Sequence, residues 1–354
     1  MSRSLTVPTM TAEARFLAAC RREPTDVTPV WFMRQAGRCL AAYRELRERY
    51  EILTLAKTPE LCAQVTLMPV DELGVDGAVL FADIMLPIEG MGVSLEIQPD
   101  IGPIIHHPIR TIEYVERLRV TDPEECVPYV LDAIRLVRAE LAGGRAAVIG
   151  FSGAPFTLAC YLVEGRPSRT YAKAKTLMLR EPRVWAALMD KLTEMVIRYL
   201  RAQIRAGASV VQLFDSWVGT LSPRDFEQFV LPWTRRIFES LRDMGAPTIY
   251  FGTGNAALLG PMAAAGSDVL SVDWRVSLDE AWARIGFDRG IQGNLDPVRP
   301  VAGWEAAEEG MRDVLWRAGG RPGHIFNLGH GVLPETDPSI LARLVDAVHE
   351  ATRR

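Results

Sequence analysis

The chain has 354 residues, of which 48% are hydrophobic and 24% are charged, a composition that is typical of a soluble globular protein and excludes a largely disordered one. Its net charge of -4 argues against general binding of nucleic acid, which usually requires a strong basic excess. The five cysteines are widely separated and contain no CxxC pair. Because neither a secretion signal nor a run of roughly 18 apolar residues occurs, we expect a cytoplasmic protein that has reduced thiols and does not bind a membrane.

Short β-rich runs alternate with amphipathic segments along the whole chain, as in repeated βα units around a parallel sheet. A helix is predicted at about 11–21, before the first run. The runs are VWFM (30–33), GAVLFA (77–82), AAVIGF (146–151), SVVQLF (209–214), PTIYF (247–251), DVLSVD (268–273), GIQGN (290–294) and HIFNL (324–328). The main helical segments are 58–72, 124–142, 170–206 with a break at Pro182, 223–244, 278–285, 304–318 and 338–352. Predicted N-caps, each before a proline, are Thr58, Ser222 and Asp337.

Eight such runs with helical returns predict an α/β fold, a single (β/α)8 barrel of the TIM type over 1–354, and not an open doubly wound sheet. Within 85–110, VSLEIQ and PIIHHPI flank PDIG, which predicts a β-hairpin inserted after the second strand. Barrel enzymes carry their active sites at the C-terminal ends of the strands, so polar residues that follow the runs are candidates for one shared site. These candidates are Arg34, Arg38, Asp83, Ser152, Asp215, Ser216, Thr253, Asp273, Asn294, Asp296 and His330.

Arg34 and Arg38 are the most informative pair. They would lie about one turn apart on one face if the segment formed a helix. No Asp or Glu occurs at 27–44, so the simplest compensation for two positive charges is an external carboxylate or phosphate, which suits the planar guanidinium. The alternative is that both arginines pair with a distant carboxylate such as Asp83 or lie in solvent.

Other candidates also have a structural and a functional interpretation. Asp83 either caps a turn or places a carboxylate at the mouth of an apolar pocket. Tyr161 is either a core residue or part of the site, and Ser216 either caps a helix or faces the site. His330, between two glycines, is either a turn residue or a ligand for an anion.

Familiar cofactor and metal motifs are absent from the sequence. There is no GxxxxGK[ST], no GxSxG, no HExxH and no cluster of Cys and His. We therefore expect a site that works without a metal or an organic cofactor.

Seven motifs resemble, in chain order, those of the uroporphyrinogen decarboxylase family. They are PVWFMRQAGRCLAAYRELR, LFADIMLP, GFSGAPFTLACYLVEG, QLFDSWVGTL, GSDVLSVDWR, QGNLDP and NLGHGVLPETDP. The resemblance implies a distorted (β/α)8 barrel, a homodimer and haem biosynthesis. It implies cofactor-independent removal of CO2 from the four acetate arms of uroporphyrinogen III, which yields coproporphyrinogen III.

The resemblance also assigns residues. It implies substrate binding by Arg34, Gln35, Ala36, Arg38, Arg47, Asp83, Tyr161, Phe214, Ser216 and His330. Asp83 would accept hydrogen bonds from the pyrrole N–H groups at the centre of the macrocycle. Arg34, Tyr161 and His330 join Asp83 as catalytic candidates, and the proton donor is left open among these three residues and a bound water.

Two alternatives belong to other classes. Zinc-dependent corrinoid:thiol methyltransferases resemble this family in fold but need His-x-Cys and a later cysteine, whereas the matching stretch reads FGTGN and no cysteine follows Cys160. A non-catalytic porphyrinogen carrier would keep the arginines without the chemistry. The presence of Asp83 beside them argues against a carrier.

Overall fold

The apolar runs form short strands that are buried on both faces, as expected for a parallel sheet covered by helices. A computed structural model describes residues 9–98 and 101–354. Within those residues the strands are β1 Gly77–Val79, β2 Leu95–Gln98, β3 Gly102–Ile105, β4 Ala147–Gly153, β5 Val210–Asp215, β6 Thr248–Gly252, β7 Val269–Ser271, β8 Gly290–Gln292 and β9 His324–Ile325.

Helices occupy the connections between the strands. They are α1 Ala12–Cys20, α2 Ala41–Arg49, α3 Ile52–Lys57, α4 Pro59–Leu73, α5 Leu86–Gly90, α6 Ile112–Arg117, α7 Pro123–Cys126, α8 Pro128–Glu140, α9 Pro155–Glu164, α10 Ala172–Arg180, α11 Pro182–Ala206, α12 Pro223–Phe229, α13 Leu231–Leu241, α14 Leu259–Ala263, α15 Leu278–Ile285, α16 Val298–Ala302, α17 Trp304–Ala318 and α18 Pro338–Ala351. Short 3₁₀ turns occur at Val218–Thr220, Arg242–Met244 and Asn255–Ala257. None of the described helices combines the length and the apolar character that crossing a membrane requires.

Seven strands form one parallel sheet in the order β1-β4-β5-β6-β7-β8-β9. Val30 bridges the two edges of this sheet, because it forms a parallel bridge with Phe326 beyond β9 and its carbonyl accepts a hydrogen bond from Asp76 N, just before β1, at 2.7 Å. The predicted TIM-barrel-like fold is confirmed. All seven strands point the same way, so the loops that follow them share one end of the barrel.

The first predicted strand is wrong beyond Val30, since 31–40 consists of bends, turns and irregular chain. The side chain of Gln35 replaces part of the missing ladder. Its Oε1 accepts from Phe32 N at 2.9 Å and its Nε2 donates to Gly77 O at 2.8 Å. Because a side chain closes this edge of the barrel, the backbone at 33–39 is free to form a loop. The helix that would have placed Arg34 and Arg38 one turn apart does not form.

Other predicted boundaries shift at prolines. The predicted helix 124–142 is divided before Pro128 and the predicted helix 223–244 before Leu231, which precedes Pro232. A proline ring lacks the N–H that would continue the preceding helix, so each starts a new one. Ser222 caps α12 and Asp337 caps α18 through their side chains, whereas Thr58 precedes α4 without a side-chain cap bond.

The segment 85–110 is only partly β-structure. It begins with α5, and then β2 and β3 pair antiparallel with Leu95 opposite Ile105. Residues 99–100 of the PDIG turn lie outside the described residues. The strands are therefore shorter than the predicted hairpin.

A polar layer fills the barrel interior below the site. Gln292 accepts from Trp31 Nε1 at 2.8 Å and donates to Gln212 at 3.1 Å and to Ser271 at 2.9 Å. All four residues are fully buried, so these hydrogen bonds satisfy polar groups that water cannot reach. The interior below the site is thus fixed, and the open end of the barrel is left for chemistry.

Gln35→Ala should destabilise the protein by about 2–4 kcal/mol, because Phe32 N–H and Gly77 C=O would be left buried without partners. The matched control is Gln228→Ala, at an exposed position on α12, which should change stability by less than about 0.5 kcal/mol. Urea unfolding followed by circular dichroism measures both. Equal midpoints for the two variants would contradict the role of Gln35 in closing the barrel.

Candidate active site

Residues 33–39, which we call the arginine loop, carry two of the predicted site residues. Arg34 has φ = 61°, in the left-handed region that favours glycine, so the loop holds an arginine where the backbone would prefer a smaller residue. A β-carbon at Gly331 would lie 2.6 Å from Arg34 Cδ. Glycine after His330 therefore lets the Arg34 stem lie directly against the chain that follows β9.

Neither Arg34 nor Arg38 has a carboxylate partner within 4.0 Å in the part of the chain that the structure describes. The interpretation in which both pair with a distant carboxylate such as Asp83 is therefore wrong, whereas the one in which they lie in solvent fits the exposure of Arg34. Arg34 is exposed to solvent, yet its pKa is lowered, first by burial and then by the charge of Arg38. The two observations fit a guanidinium that protein atoms surround on several sides and that solvent still reaches.

Asp83 lies beyond β1 and is half-buried. One oxygen caps a turn, because Oδ1 accepts from Met85 N at 2.8 Å. Burial raises the pKa of this carboxyl group, whereas the Met85 N–H and the charge of Arg34 oppose the rise. Within 9–98 and 101–354, Oδ2 has no hydrogen-bond donor, so it is available to a ligand.

The charge of Arg34 acts on two further candidates. Burial and the nearby Asp83 raise the pKa of Tyr161 to about 12, and Arg34 opposes this shift. Burial, then Arg34 and then Arg275, lower the pKa of His330 to about 4. At neutral pH the imidazole of His330 is therefore uncharged. Asp83, Tyr161 and His330 all lie within electrostatic range of one guanidinium.

Aromatic rings line the same end of the barrel. Phe214 packs edge-on against Phe151 at 5.3 Å and Phe251 at 5.7 Å between centroids, and Phe251 lies 6.0 Å from the ring of His330. Phe214 is half-buried, so part of its ring remains accessible. These rings provide an apolar surface beside the charged groups.

Three other predicted residues lie at different depths. Ser216 is half-buried in the turn after β5, and Trp217, its neighbour, packs on Tyr161 at 5.9 Å. Ala36 is buried in the arginine loop. Gln35 is fully buried, with both ends of its amide used to close the barrel.

Arg47 lies on α2, where its Nη1 donates to the carbonyl of Tyr50 at the end of the same helix. The pKa of Tyr43 is raised by burial, and the charges of Arg47 and Arg38 oppose the rise, so both arginines act on this phenol. Its ring packs against Phe81 at 5.6 Å. The sequence reasoning missed Tyr43, although its position four residues before Arg47 is the spacing of neighbours on a helix.

Several polar residues that follow strands form hydrogen bonds within the wall of the barrel and do not face a ligand. Asp215 is fully buried, where it accepts from Thr157 Oγ1 at 2.7 Å and Tyr250 OH at 2.9 Å, and burial raises its pKa to about 6. Asn294 Nδ2 donates to the carbonyls of Asp273 and Val276. These side chains are used within the protein, so a strand-end position alone does not identify a ligand-binding residue.

Arg275, after β7, was also missed. It pairs with Asp273 at 2.6 Å and stacks on Trp274 at 4.0 Å from guanidinium carbon to ring centroid. Asp273 and Trp274 directly precede Arg275 in the DWR sequence. This succession of acid, aromatic ring and arginine is the sequence pattern that could have identified Arg275 as a candidate.

The arrangement combines unpaired guanidiniums, a carboxylate with a free oxygen, a neutral imidazole and aromatic walls. Guanidiniums bind carboxylates, the carboxylate can accept N–H donors, and the rings can contact a flat apolar body. The site therefore fits a large ligand with an apolar core, inward-facing N–H groups and acidic arms.

His330 should titrate near pH 4 in the free protein, because burial and the charges of Arg34 and Arg275 disfavour the imidazolium. Since this folded-state pKa is below the unfolded value of about 6.5, the neutral ring's contribution to stability is complete above pH 6.5 or so and is lost as the pH falls towards 4. NMR of the histidine ring protons measures the midpoint, and His330→Asn assigns the signal. We expect Arg34→Met to raise the midpoint; a midpoint near 6.5 in the unsubstituted chain would contradict the geometry.

Comparisons with known proteins show the family to which the chain belongs. A family model described as uroporphyrinogen decarboxylase (URO-D) matches residues 11–351. The curated uroporphyrinogen decarboxylase of Carboxydothermus hydrogenoformans is 55% identical over 335 residues, which cover 95% of each chain. That of Sorangium cellulosum is 56% identical over 339 residues, which cover 96% of this chain and 97% of the relative.

A solved methyltransferase from Methanosarcina mazei superposes with a TM-score of 0.77 at 24% identity and covers 97% of this chain and 99% of its own. At that identity the similarity concerns the fold alone. The family model and the curated relatives carry the assignment: the chain belongs to the uroporphyrinogen decarboxylase family.

Proposed function

We propose that this chain is a carboxy-lyase of tetrapyrrole biosynthesis. It removes CO2 from the four acetate arms of uroporphyrinogen III, leaves methyl groups and yields coproporphyrinogen III. Family membership supports this activity. The observation that carries it is the pair of guanidiniums, Arg34 and Arg38, that lack a carboxylate partner in the described chain and act on one another, while Arg34 also acts on Asp83.

Binding depends on complementary charge. The substrate carries eight carboxylates around an apolar macrocycle, and Arg34, Arg38 and Arg47 receive some of these arms through charge-assisted hydrogen bonds. Asp83 accepts hydrogen bonds from the pyrrole N–H groups through the oxygen that the turn leaves free. Burial raises the pKa of Asp83, and N–H donors favour its ionised form, so substrate binding lowers that pKa again.

The decarboxylation step uses the substrate as its own electron acceptor. A proton adds to a ring carbon of one pyrrole, which makes that ring cationic. The bond between the arm carbon and its carboxylate breaks, CO2 leaves, and the bonding electrons neutralise the ring. The arm carbon then takes up a proton to become methyl, and the ring carbon loses the proton it gained. Ionised Asp83 stabilises the cationic ring more than the neutral ground state, which lowers the barrier.

The proton donor is constrained by the pKa values of the candidates. Tyr161, with a pKa of about 12, is a weak acid, and Arg34 remains a guanidinium that donates protons reluctantly. His330, with a pKa of about 4, is neutral in the free protein. A substrate carboxylate beside His330 would raise its pKa and let it carry a proton only when substrate is bound.

The two alternatives are not favoured. In the described residues no three His, Cys, Asp or Glu side chains lie together in an arrangement that could hold a metal ion, as a zinc-dependent methyltransferase needs. A carrier would bind the arms through the arginines alone. The half-buried carboxylate of Asp83, with one oxygen free, adds a group that binding of acidic arms does not need.

The family resemblance also supports a homodimer, and the widely separated cysteines without a CxxC pair support a cytoplasmic location. Sedimentation velocity at micromolar protein tests the assembly, and we expect a species of twice the chain mass. A monomer over the concentrations at which the enzyme turns over would contradict the proposed dimer without affecting the proposed reaction.

Asp83→Asn should keep substrate binding within a few-fold but lower kcat by at least about 100-fold, because an amide does not stabilise the ring cation as a carboxylate does. Anaerobic incubation with uroporphyrinogen, followed by chromatography that counts the carboxylates of the products, measures the turnover. The control is Asp190→Asn, an exposed aspartate on α11 that pairs with Arg236 at 2.6 Å, which should turn over normally. Near-normal turnover by Asp83→Asn would overturn the mechanism.

A further inference from the structure

Arg275 is held in a fixed position at the mouth of the barrel. Its backbone N–H donates to Asp273 Oδ1 at 3.0 Å and its Nη1 donates to Asp273 Oδ2 at 2.6 Å. Asp273 is fully buried and also accepts from Gly254 N, so its own position is fixed. One edge of the Arg275 guanidinium is therefore anchored to a rigid acid.

The face of the guanidinium is fixed as well. It stacks on Trp274 at 4.0 Å, and the Trp274 ring packs edge-on against His330 at 6.5 Å between centroids. The backbone of Trp274 lies close against the chain that follows β9, since a β-carbon at Gly329 would lie 2.4 Å from its nitrogen. An arginine held by an ion pair and by stacking loses little side-chain entropy when it binds an anion.

Most donors of this guanidinium remain free. Arginine has five N–H donors, and in the described chain one guanidinium nitrogen of Arg275, Nη1, has a hydrogen-bond acceptor. The side chain is 48% exposed, whereas that of Asp273 is 0% exposed. The pair therefore presents positive groups to solvent and conceals its negative ones.

His330 relates Arg275 to the arginine loop. In the sheet, β9 lies between the bridge at Val30 and β8, and β8 lies next to β7. His330 follows β9, and both Arg34 and Arg275 lower its pKa. Val30 also adjoins the chain just before β1, which Asp83 follows, so Arg275, which follows β7, stands on the side of His330 away from Asp83.

We propose that Arg275 is a further specificity-determining residue, which binds a carboxylate arm that is not undergoing decarboxylation. This inference rests on the proposed function. Because such an arm is bound equally in the ground state and the transition state, its contact lowers KM without raising kcat. The three arginines implied by the resemblance all occur in the chain between Val30 and β1, on one side of the strand that precedes His330. Arg275 follows β7, on the other side of that strand, and adds a contact there.

The test compares Arg275→Met with the unsubstituted enzyme in the anaerobic uroporphyrinogen assay. We expect KM to rise roughly 10-fold, because one charge-assisted contact at a partly exposed site is lost. The value of kcat should stay within about twofold. Arg275→Lys keeps the charge but loses the planar fork and should give a smaller rise in KM. Arg135→Met is the matched control, because Arg135 is also 48% exposed and pairs with an aspartate, on the outer helix α8.

The outcomes separate the two proposals. If the unsubstituted chain does not decarboxylate uroporphyrinogen, the proposed function fails. If it does, and Arg275→Met shows an unchanged KM or a fall in kcat alone, the role of Arg275 fails. If circular dichroism shows that Arg275→Met does not fold, the test uses Arg275→Lys instead. A KM for Arg275→Lys equal to that of Arg135→Met would then overturn the inference.

Discussion

The site depends on a positive charge that the protein itself does not neutralise. Arg34 is exposed to solvent and has no carboxylate partner in the described chain, and its charge acts on Asp83, Tyr161 and His330 together. Arg38 repels it, and the protein atoms that surround the guanidinium add to the cost of its charge. A carboxylate that binds there reduces both the repulsion between the arginines and the cost of the partly desolvated charge. Folding has already imposed these costs, so their relief contributes to the affinity for acidic arms.

The unpaired charge also determines the state of its neighbours. A neutral His330 and an Asp83 whose pKa is raised are the states expected where water is partly excluded. Each would change in the presence of the ligand, since acidic arms favour an imidazolium and N–H donors favour a carboxylate. The free and bound forms of the site therefore differ in protonation even if no backbone moves.

Much of this architecture was predictable from the sequence, because seven of the apolar runs have the length and pattern of buried strands. The first run was not, since the side chain of Gln35 substitutes for backbone pairing, and no propensity rule anticipates a side chain in that role. For the site, position after a strand identified Arg34 and Asp83 but also Asp215, which bonds only within the wall. Position along a strand cannot distinguish these cases, because the difference lies in which way the side chain turns.

The backbone at Arg34 has a consequence for protein engineering. With φ at 61°, this position is one where glycine would relax the chain, so optimisation for thermal robustness alone would favour replacing the arginine. The same substitution would delete the charge that acts on Asp83, Tyr161 and His330. At this residue the most stable sequence and the most useful sequence are different, and directed evolution for heat tolerance must hold it constant.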